Sequence, residues 1–455
     1  MHLHAEDVSA PEDAGASRTR RSGGAPRGRG SWSAARALAT LVLLLLAAAF
    51  GFSTAVGVAL LVDHPALIIG AGLGAQAVVG WVALRWVWRP SAGRFRAAVA
   101  VPVGVVAAVS AAALLVPGGT GAPTPGVQGQ AFWQLDTGSR IRVVRLPAAT
   151  GPRRASPVVV LHGGPGVADM AGDAAYFRSL TGDGFDVYVH DQVGAGRSTR
   201  LTDPTGYAVD RDVADLEAIR RRIGVDRMIL VGHSYGATLA GHYLARHPDR
   251  VARLVLISPG ALDPDDTSDA NLTARLSTPR RLRLYTMLAA PRPLLGYALL
   301  QVNPRAAHAY LPDAEADARN DEVYRATEPA LHCTPAQARR PLRGTGFYAL
   351  QYPQSATSPP RPDPRPAIDG LPTPTLVLKG SCDYLSWRSA IDYTATLPEA
   401  TLLYYRGAGH NLAQDRPDDT LAAIRAFLTD APLPQPAYRH EGAPADYQGP
   451  VRAGG

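Results

Sequence analysis

The 455-residue chain carries two cysteines, four methionines and one lysine, Lys379, among its 46 basic residues. Neither Cys333 nor Cys382 lies on a nucleophile turn, which argues against a cysteine nucleophile, and no Cys/His cluster suggests a metal. The scarcity of lysine reads as GC-rich codon usage rather than chemistry. Internal repeats are lacking as well. The run Gly70-Ala-Gly-Leu-Gly74 follows no strand and sits inside an apolar segment, so it suits close helix packing and not a nucleotide loop. Neither a cofactor nor a metal is expected. The net charge of +7 does not signal nucleic-acid binding either. The first 125 residues hold ten arginines against five acidic residues, and the remainder is close to balanced at 36 basic against 34 acidic.

Charge is missing altogether from three long runs. Ala37–Val62 covers 26 residues, Ala66–Leu84 covers 19 and Ala97–Val116 covers 20. About 20 apolar residues cross a bilayer core, so residues 34–116 are expected to form three transmembrane helices. A cleaved signal peptide would explain only the first. Arg18, Arg20, Arg21, Arg27, Arg29 and Arg36 precede the first run, and Arg85, Arg89, Arg94 and Arg96 separate the second from the third. Positive loops stay inside, which makes this a multi-pass protein of the cell membrane with its carboxyl-terminal part on the extracytoplasmic side. Residues 1–33, polar and rich in Gly, Ser and Arg, read as a disordered cytoplasmic tail. The Pro/Gly-rich segment 117–129 reads as a linker that frees the carboxyl-terminal part from the bilayer.

From residue 130 onward the chain alternates strand-like and helical runs, the pattern of a mostly parallel sheet with helices on both faces. Residues 130–261 and 371–430 form the expected core, opened by a hairpin at Gln130–Leu135 and Ile141–Leu146. Residues 262–370 interrupt the alternation with Arg- and Leu-rich helical sequence and are expected to form a cap. Residues 431–455 read as a flexible tail.

Two motifs carry the chemistry. The apolar run Val158-Val-Val-Leu enters His162-Gly-Gly-Pro-Gly166, and Met228-Ile-Leu-Val enters Gly232-His-Ser234-Tyr-Gly236. Gly-x-Ser-x-Gly is the sharp strand-to-helix turn that holds a serine hydroxyl clear of the backbone. A nucleophilic serine needs a base, and the base needs an acid to orient it. Gly380-Ser-Cys-Asp383 follows the strand-like run Pro374–Lys379, and Arg406-Gly-Ala-Gly-His410 follows Thr401–Tyr405. This yields a Ser234, Asp383, His410 triad in the chain order of this kind of hydrolase. Asp263 is the alternative acid. His162, His190, His233, His242 and His247 compete with His410, but none lies after the final strand. The oxyanion hole is assigned to the N–H groups of Tyr235 and Gly164, with Gly163 as the alternative to Gly164.

His162-Gly-Gly-Pro-Gly166 together with Asp191-Gln-Val-Gly-Ala-Gly-Arg-Ser198 resembles the proline iminopeptidase branch of the α/β-hydrolases, over roughly residues 130–430. The resemblance implies an α/β-hydrolase fold and metal-free removal of a small N-terminal residue, often proline, from peptides or amides. Val193 stands where that family has Arg, and Gly-His-Ser-Tyr-Gly replaces its Gly-Gly-Ser-Trp-Gly. An esterase or amidase acting on small or lipid-derived substrates is the alternative, and a non-enzymatic ligand sensor a third reading. Recognition of a free N-terminus requires a carboxylate, for which Glu322 and Glu328 are candidates. Tyr235 and Phe347–Tyr352 could line an apolar pocket. Cys333 and Cys382 are expected to tie cap to core by a disulfide, or to remain two buried thiols. The expected partners are a small-molecule or short-peptide substrate and the lipid bilayer.

Overall fold

Short valine- and leucine-rich runs bounded by turn residues form strands covered on both sides, and these make the centre of the carboxyl-terminal part. The computed structural model describes residues 29–89, 96–149, 151–266, 268–334 and 342–451. The expected disordered tail lies outside these residues as far as residue 28, and its last residues belong to a helix.

That helix, α1 (Arg29–Ala59), is followed by α2 (Pro65–Trp88) and, through a π-helical turn at Arg96–Ala100, by α3 (Val101–Leu115). Three segments, Ala34–Ala59, Pro65–Trp88 and Ala98–Leu115, are long and apolar enough to cross a membrane. A Cβ on Gly51 would stand 2.6 Å from the Gly72 carbonyl oxygen, and one on Gly72 would stand 2.7 Å from that of Gly51. α1 and α2 therefore meet backbone to backbone. Gly70 and Gly74 face open space, so only the middle glycine of that run makes the expected close packing. Gln76, buried, donates to Ser110 Oγ at 3.0 Å and joins α2 to α3.

The sheet comprises β1 (Gln130–Gln134), β2 (Arg140–Leu146), β3 (Val158–Leu161), β4 (Val187–His190), β5 (Met228–His233), β6 (Val251–Ile257), β7 (Thr375–Cys382) and β8 (Ala400–Gly409). Their spatial order is β1-β2-β4-β3-β5-β6-β7-β8; the pairings of β1 with β2 and β2 with β4 are antiparallel and the rest parallel. This is an α/β-hydrolase fold. Apolar clusters fill both faces of the sheet. α4 (Met170–Phe177) follows β3, and α5 (Val209–Ile223) precedes β5. α5 shows how local chemistry sets an element: Asp210 and Asp212 lie in its first turn, Arg220–Arg222 in its last, and Gly224 closes it at φ 79°. α6 (Tyr235–Arg246) leaves β5 through Ser234.

Between β6 and β7 stand α7 (Thr278–Leu288), α8 (Pro291–Leu300), α9 (Pro304–Tyr310), α10 (Asp313–Thr327), α11 (Phe347–Gln351) and α12 (Arg365–Ile368). α13 (Arg388–Thr396), α14 (Leu412–Asp415) and α15 (Pro417–Leu428) complete the α-helices among the described residues.

Two expectations need correction. The segment 117–129 does not hold the hydrolase away from the helices. Glu315 Oε1 accepts from Gly118 N (2.7 Å), Arg142 donates to Pro125 O (2.9 Å), and the inserted helices rest directly on the ends of α1 and α3. Asn303 Nδ2 donates to Ala59 O (2.8 Å) and Asp63 Oδ1 (2.7 Å), and Arg292 to Leu114 O (2.7 Å). Ala55, Ala59, Ile68 and Ile69 share one apolar cluster with Leu295, Leu299 and Tyr310. Nor is 431–451 a loose tail. Tyr438 and Tyr447 pack edge-on against buried Trp387, whose indole N–H donates to Glu441 O (2.8 Å). Aromatic burial outweighs a Pro/Gly composition that by itself favours disorder.

Candidate active site

Ser234 occupies the turn between β5 and α6 at φ 54°, ψ −119°, a backbone region that L-residues rarely adopt. The flanking glycines explain how it is held. A Cβ on Gly232 would collide with the Gly236 carbonyl, and one on Gly236 with the Leu161 carbonyl of β3. Ser234 N donates to Ile257 O (3.1 Å), and Ser234 O accepts from Gly260 N (2.9 Å).

Asp383 and His410 directly follow the last residues of β7 and β8, and the structure brings them together. His410 Nδ1 donates to Asp383 Oδ1 at 2.8 Å in a buried setting. Asp383 Oδ1 also accepts from Leu385 N (3.1 Å), and its Oδ2 accepts from Lys379 Nζ (2.8 Å). Burial alone would push the Asp383 carboxyl up. The Lys379 ammonium and the His410 ring outweigh it and hold the group well below the usual carboxylate range. Burial pulls Lys379 itself below its ordinary value, against the attraction of Asp383. No hydrogen bond joins Ser234 Oγ to the His410 ring among the described residues. The two neighbour one another through His233, whose ring lies 4.9 Å from that of His410 and whose Nε2 donates to His410 O at 3.1 Å.

The other candidates are placed elsewhere. Asp263 pairs with Arg365 (3.1 Å). His162 Nδ1 donates to Gly163 O (2.9 Å) while its Nε2 accepts from Gln192 N (2.9 Å), so the imidazole stitches the two glycine-rich motifs to each other. His242 faces Arg361 (3.2 Å), and the His247 ring lies tilted against that of Tyr243, 4.9 Å between centroids. His190 is buried in the sheet, and burial pushes its pKa down to about 3.

Gly164 has φ 114° and precedes Pro165 through a cis peptide. A Cβ on it would stand 2.7 Å from the N atoms of Gly166 and Val167, whereas one on Gly163 would stand 3.1 Å from Ser234 Cβ. The N–H groups of Gly164 and Tyr235 make no hydrogen bond among the described residues. The Tyr235 hydroxyl donates to Asp212 Oδ2 at 2.6 Å. Burial pushes Asp212 up to about 7.

Cap and core meet on this constellation. Gly346 N donates to Gly166 O (2.8 Å), which sets α11 against the glycine-rich turn. Cys333 and Cys382 are bonded, with Cα atoms 5.2 Å apart. His332 Nδ1 donates to Asp415 Oδ1 (2.6 Å), Asp415 Oδ2 accepts from Gly409 N (2.6 Å), and Asn411 N donates to Leu331 O (3.1 Å). Glu328 accepts from His332 Nε2 (3.4 Å) and Glu322 faces Arg319 (3.5 Å), so both proposed ammonium receptors already have cationic partners. Among the described residues no group of His, Cys, Asp and Glu converges as a metal site would require.

Residues 156–417 match the family described as the alpha/beta hydrolase fold. The chain belongs to the α/β-hydrolase family. Over 123 residues it is 35% identical to the proline iminopeptidase of Heyndrickxia coagulans, covering 27% of this chain and 41% of that one. It is 37% identical over 122 residues to the (lyso)-N-acylphosphatidylethanolamine lipase of Mus musculus, covering 25% and 34%. It is 40% identical over 109 residues to the bifunctional esterase/perhydrolase DCH of Acinetobacter calcoaceticus, covering 24% and 38%. The chain thus spans about two fifths or less of the length of these curated relatives. The solved proline iminopeptidase of Mycobacterium smegmatis aligns with a TM-score of 0.46 at 19% identity, covering 66% of this chain and 98% of that one.

Lys379 is the residue whose meaning sequence reasoning missed. The signal was available: the one lysine of an arginine-rich chain ends the apolar run of a buried strand, four residues before the acid. Tyr447 and the His332–Asp415 pair were missed too, because only the fold brings them beside the acid and His410 loops.

Proposed function

We propose that this protein is a membrane-anchored serine hydrolase working through an acyl-enzyme. The observation that carries the reading is the buried Asp383–His410 hydrogen bond at the ends of adjacent strands, beside a serine at φ 54° on its strand-to-helix turn. Ser234 Oγ attacks the substrate carbonyl and its proton passes to His410 Nε2. The bond between these atoms is commonly long without substrate and tightens when substrate binds. Gly164 and Tyr235 N–H groups stabilise the charge that develops on the carbonyl oxygen. His410 returns the proton to the departing amine or alcohol. Water then attacks the acyl-enzyme, giving its proton to His410, and Ser234 is regenerated with release of the acid. Asp383 keeps the imidazole in the required tautomer throughout.

Proline iminopeptidase-like removal of a small N-terminal residue is the first reading of the substrate, supported by the shared glycine-rich motifs and by the iminopeptidase relatives. Hydrolysis of small or lipid-derived esters and amides is the second, favoured by the engagement of Glu322 and Glu328 with cationic partners. The helices α1–α3 anchor the enzyme as a three-pass protein, with the hydrolase on the extracytoplasmic side. Full-length enzyme in vesicles, offered aminoacyl-naphthylamides including proline and short-chain esters, tests the substrate. Cleavage of esters alone removes the aminopeptidase reading.

A further inference from the structure

The hydrolase portion hides its large apolar side chains well, with one interruption. Outside the three apolar helices and their ends, the exposed large hydrophobics among the described residues are Val451 and five neighbours in the cap: Leu282 (64% exposed), Tyr285 (49%), Leu288 (45%), Leu294 (42%) and Tyr297 (44%). These five line the outer surface of α7 and α8. A soluble surface rarely leaves so many together without a partner.

Their position in the fold says what covers them. α8 stands on the ends of the apolar helices: Arg292 at its start donates to Leu114 O, and Leu295 and Leu299 on its buried side share a cluster with Ala55, Ala59 and Ile69. Leu294 and Tyr297 thus sit on the helix that stands on the ends of the bilayer-crossing segments, where Leu60, Leu61 and Val116 are exposed as well. α7 adds Arg280, Arg281 and Arg283, none of which forms an ion pair among the described residues. Exposed apolar side chains interleaved with uncommitted arginines, whose long stems can reach the headgroups, are the composition of a helix that lies in a membrane interface.

We propose that α7 and α8 of the cap are embedded in the headgroup and acyl boundary of the lipid leaflet that adjoins the hydrolase, with Leu282, Tyr285, Leu288, Leu294 and Tyr297 as the inserted residues. The proposal rests on the reading of α1–α3 as membrane spans. It makes the cap a lipid-contacting surface next to the active site, seated on the bilayer instead of swinging above it. An amphiphile partitioned into that leaflet then reaches the cap without crossing bulk water.

The test uses the full chain in phosphatidylcholine–phosphatidylglycerol vesicles, with Tyr285→Cys, Val109→Cys and Asp226→Cys each carrying an environment-sensitive fluorophore. The native cysteines stay in their disulfide under non-reducing labelling. At 285 the expected result is a blue-shifted emission quenched by lipids brominated near the headgroup, about 5–10 Å into the interface. At 226, on the exposed turn just before β5, only aqueous iodide should quench. Quenching of 109 by deeply brominated lipid together with quenching of 285 by iodide alone overturns the cap proposal and leaves the spans standing. Failure of lipid quenching at 109 overturns the span reading and the proposal with it. Protection of 285 from both quenchers, with crosslinking between copies, assigns the face to a second chain and equally overturns the proposal.

Discussion

At the scale of single residues, each member of the site has a distinct expected failure. Ser234→Ala should abolish labelling by a fluorophosphonate probe and lower turnover by several orders of magnitude. Asp383→Asn should cost about 10⁴-fold in kcat by presenting the wrong imidazole tautomer. Asp263→Asn, which disturbs only the pairing with Arg365, should leave kcat close to the parent value; a severe loss there, with Asp383→Asn active, would reassign the acid. Lys379→Met separates a structural role from a positioning one. Removing one partner of a buried pair typically costs about 3–5 kcal/mol of stability. Positioning predicts more: an Asp383 no longer shared with an ammonium holds the His410 imidazolium more tightly. The acidic limb of the kcat/KM profile should therefore move to higher pH, with KM little changed. A profile that keeps its parent shape while only Tm falls would leave Lys379 as a structural residue. The proposed triad is legible in sequence because each member ends a strand-like run. Lys379 looks like codon bias in sequence because the reason for its identity, a compact ammonium between Asp383 and Ser389, exists only after folding.

At the scale of elements, the central strands announce themselves as short valine-rich runs between turn residues, buried on both faces. The ends of the hydrolase mislead for a physical reason: Pro- and Gly-rich composition describes a chain's freedom before it finds aromatic partners. Segment 431–451 is bound to the acid loop. Gln448 N donates to Ser381 O (2.8 Å), Trp387 N to Pro450 O (2.8 Å), and Tyr447 hydroxyl to Leu385 O. Truncation after residue 430 should expose Trp387 and release the loop that carries Asp383. Lost aromatic burial alone amounts to ~2–3 kcal/mol per large side chain, so both Tm and kcat should fall. An unchanged kcat in the truncated enzyme would count against the tail as a support of the site. The clamp of the cap onto the His410 loop should respond to pH. Burial opposes the charged form of His332, but Asp415 and Glu328 outweigh it and raise the group to about 9. Its folded value lies above the ordinary one, so the stabilisation is complete below about pH 6.5 and is lost as pH rises through about 9. Thermal melts from pH 7 to 10 should show a falling Tm that His332→Gln removes; an identical fall in that variant would place the titration elsewhere.

At the scale of the whole molecule, two unrelated features support the proposed three-pass arrangement. Arginines cluster at one end of the helix bundle: Arg36 stands 5.8 Å over the Trp88 ring, and Arg85 and Arg89 lie in the same turn region. The cap grips the other end, through Ala59 O, Asp63 and Leu114 O. Three crossings are the arrangement in which α1 and α3 finish together, α2 starts beside them and α1 begins at the opposite end. Positive residues stay inside, so in this arrangement the end that bears the hydrolase faces out. Composition alone revealed the apolar runs and their flanking arginines. The grip of the cap was not legible, because Arg292, Asn303 and Glu315 look like ordinary solvated helix residues until the fold sets them against carbonyls at the helix ends. The grip has a consequence for topology experiments. Protease added to intact cells should cleave at exposed loops of the hydrolase while sparing an amino-terminal tag, and it should cut segment 117–129 slowly because Gly118 N and Pro125 O are bonded to the folded domain. Arg292→Ala together with Asn303→Ala should speed that cleavage without exposing the tag, since these residues hold the domain to the bundle and do not set its orientation. An external side that digests the tag and protects the hydrolase would reverse the assignment, and it would move Cys333–Cys382 into a reducing compartment where the bridge is not maintained.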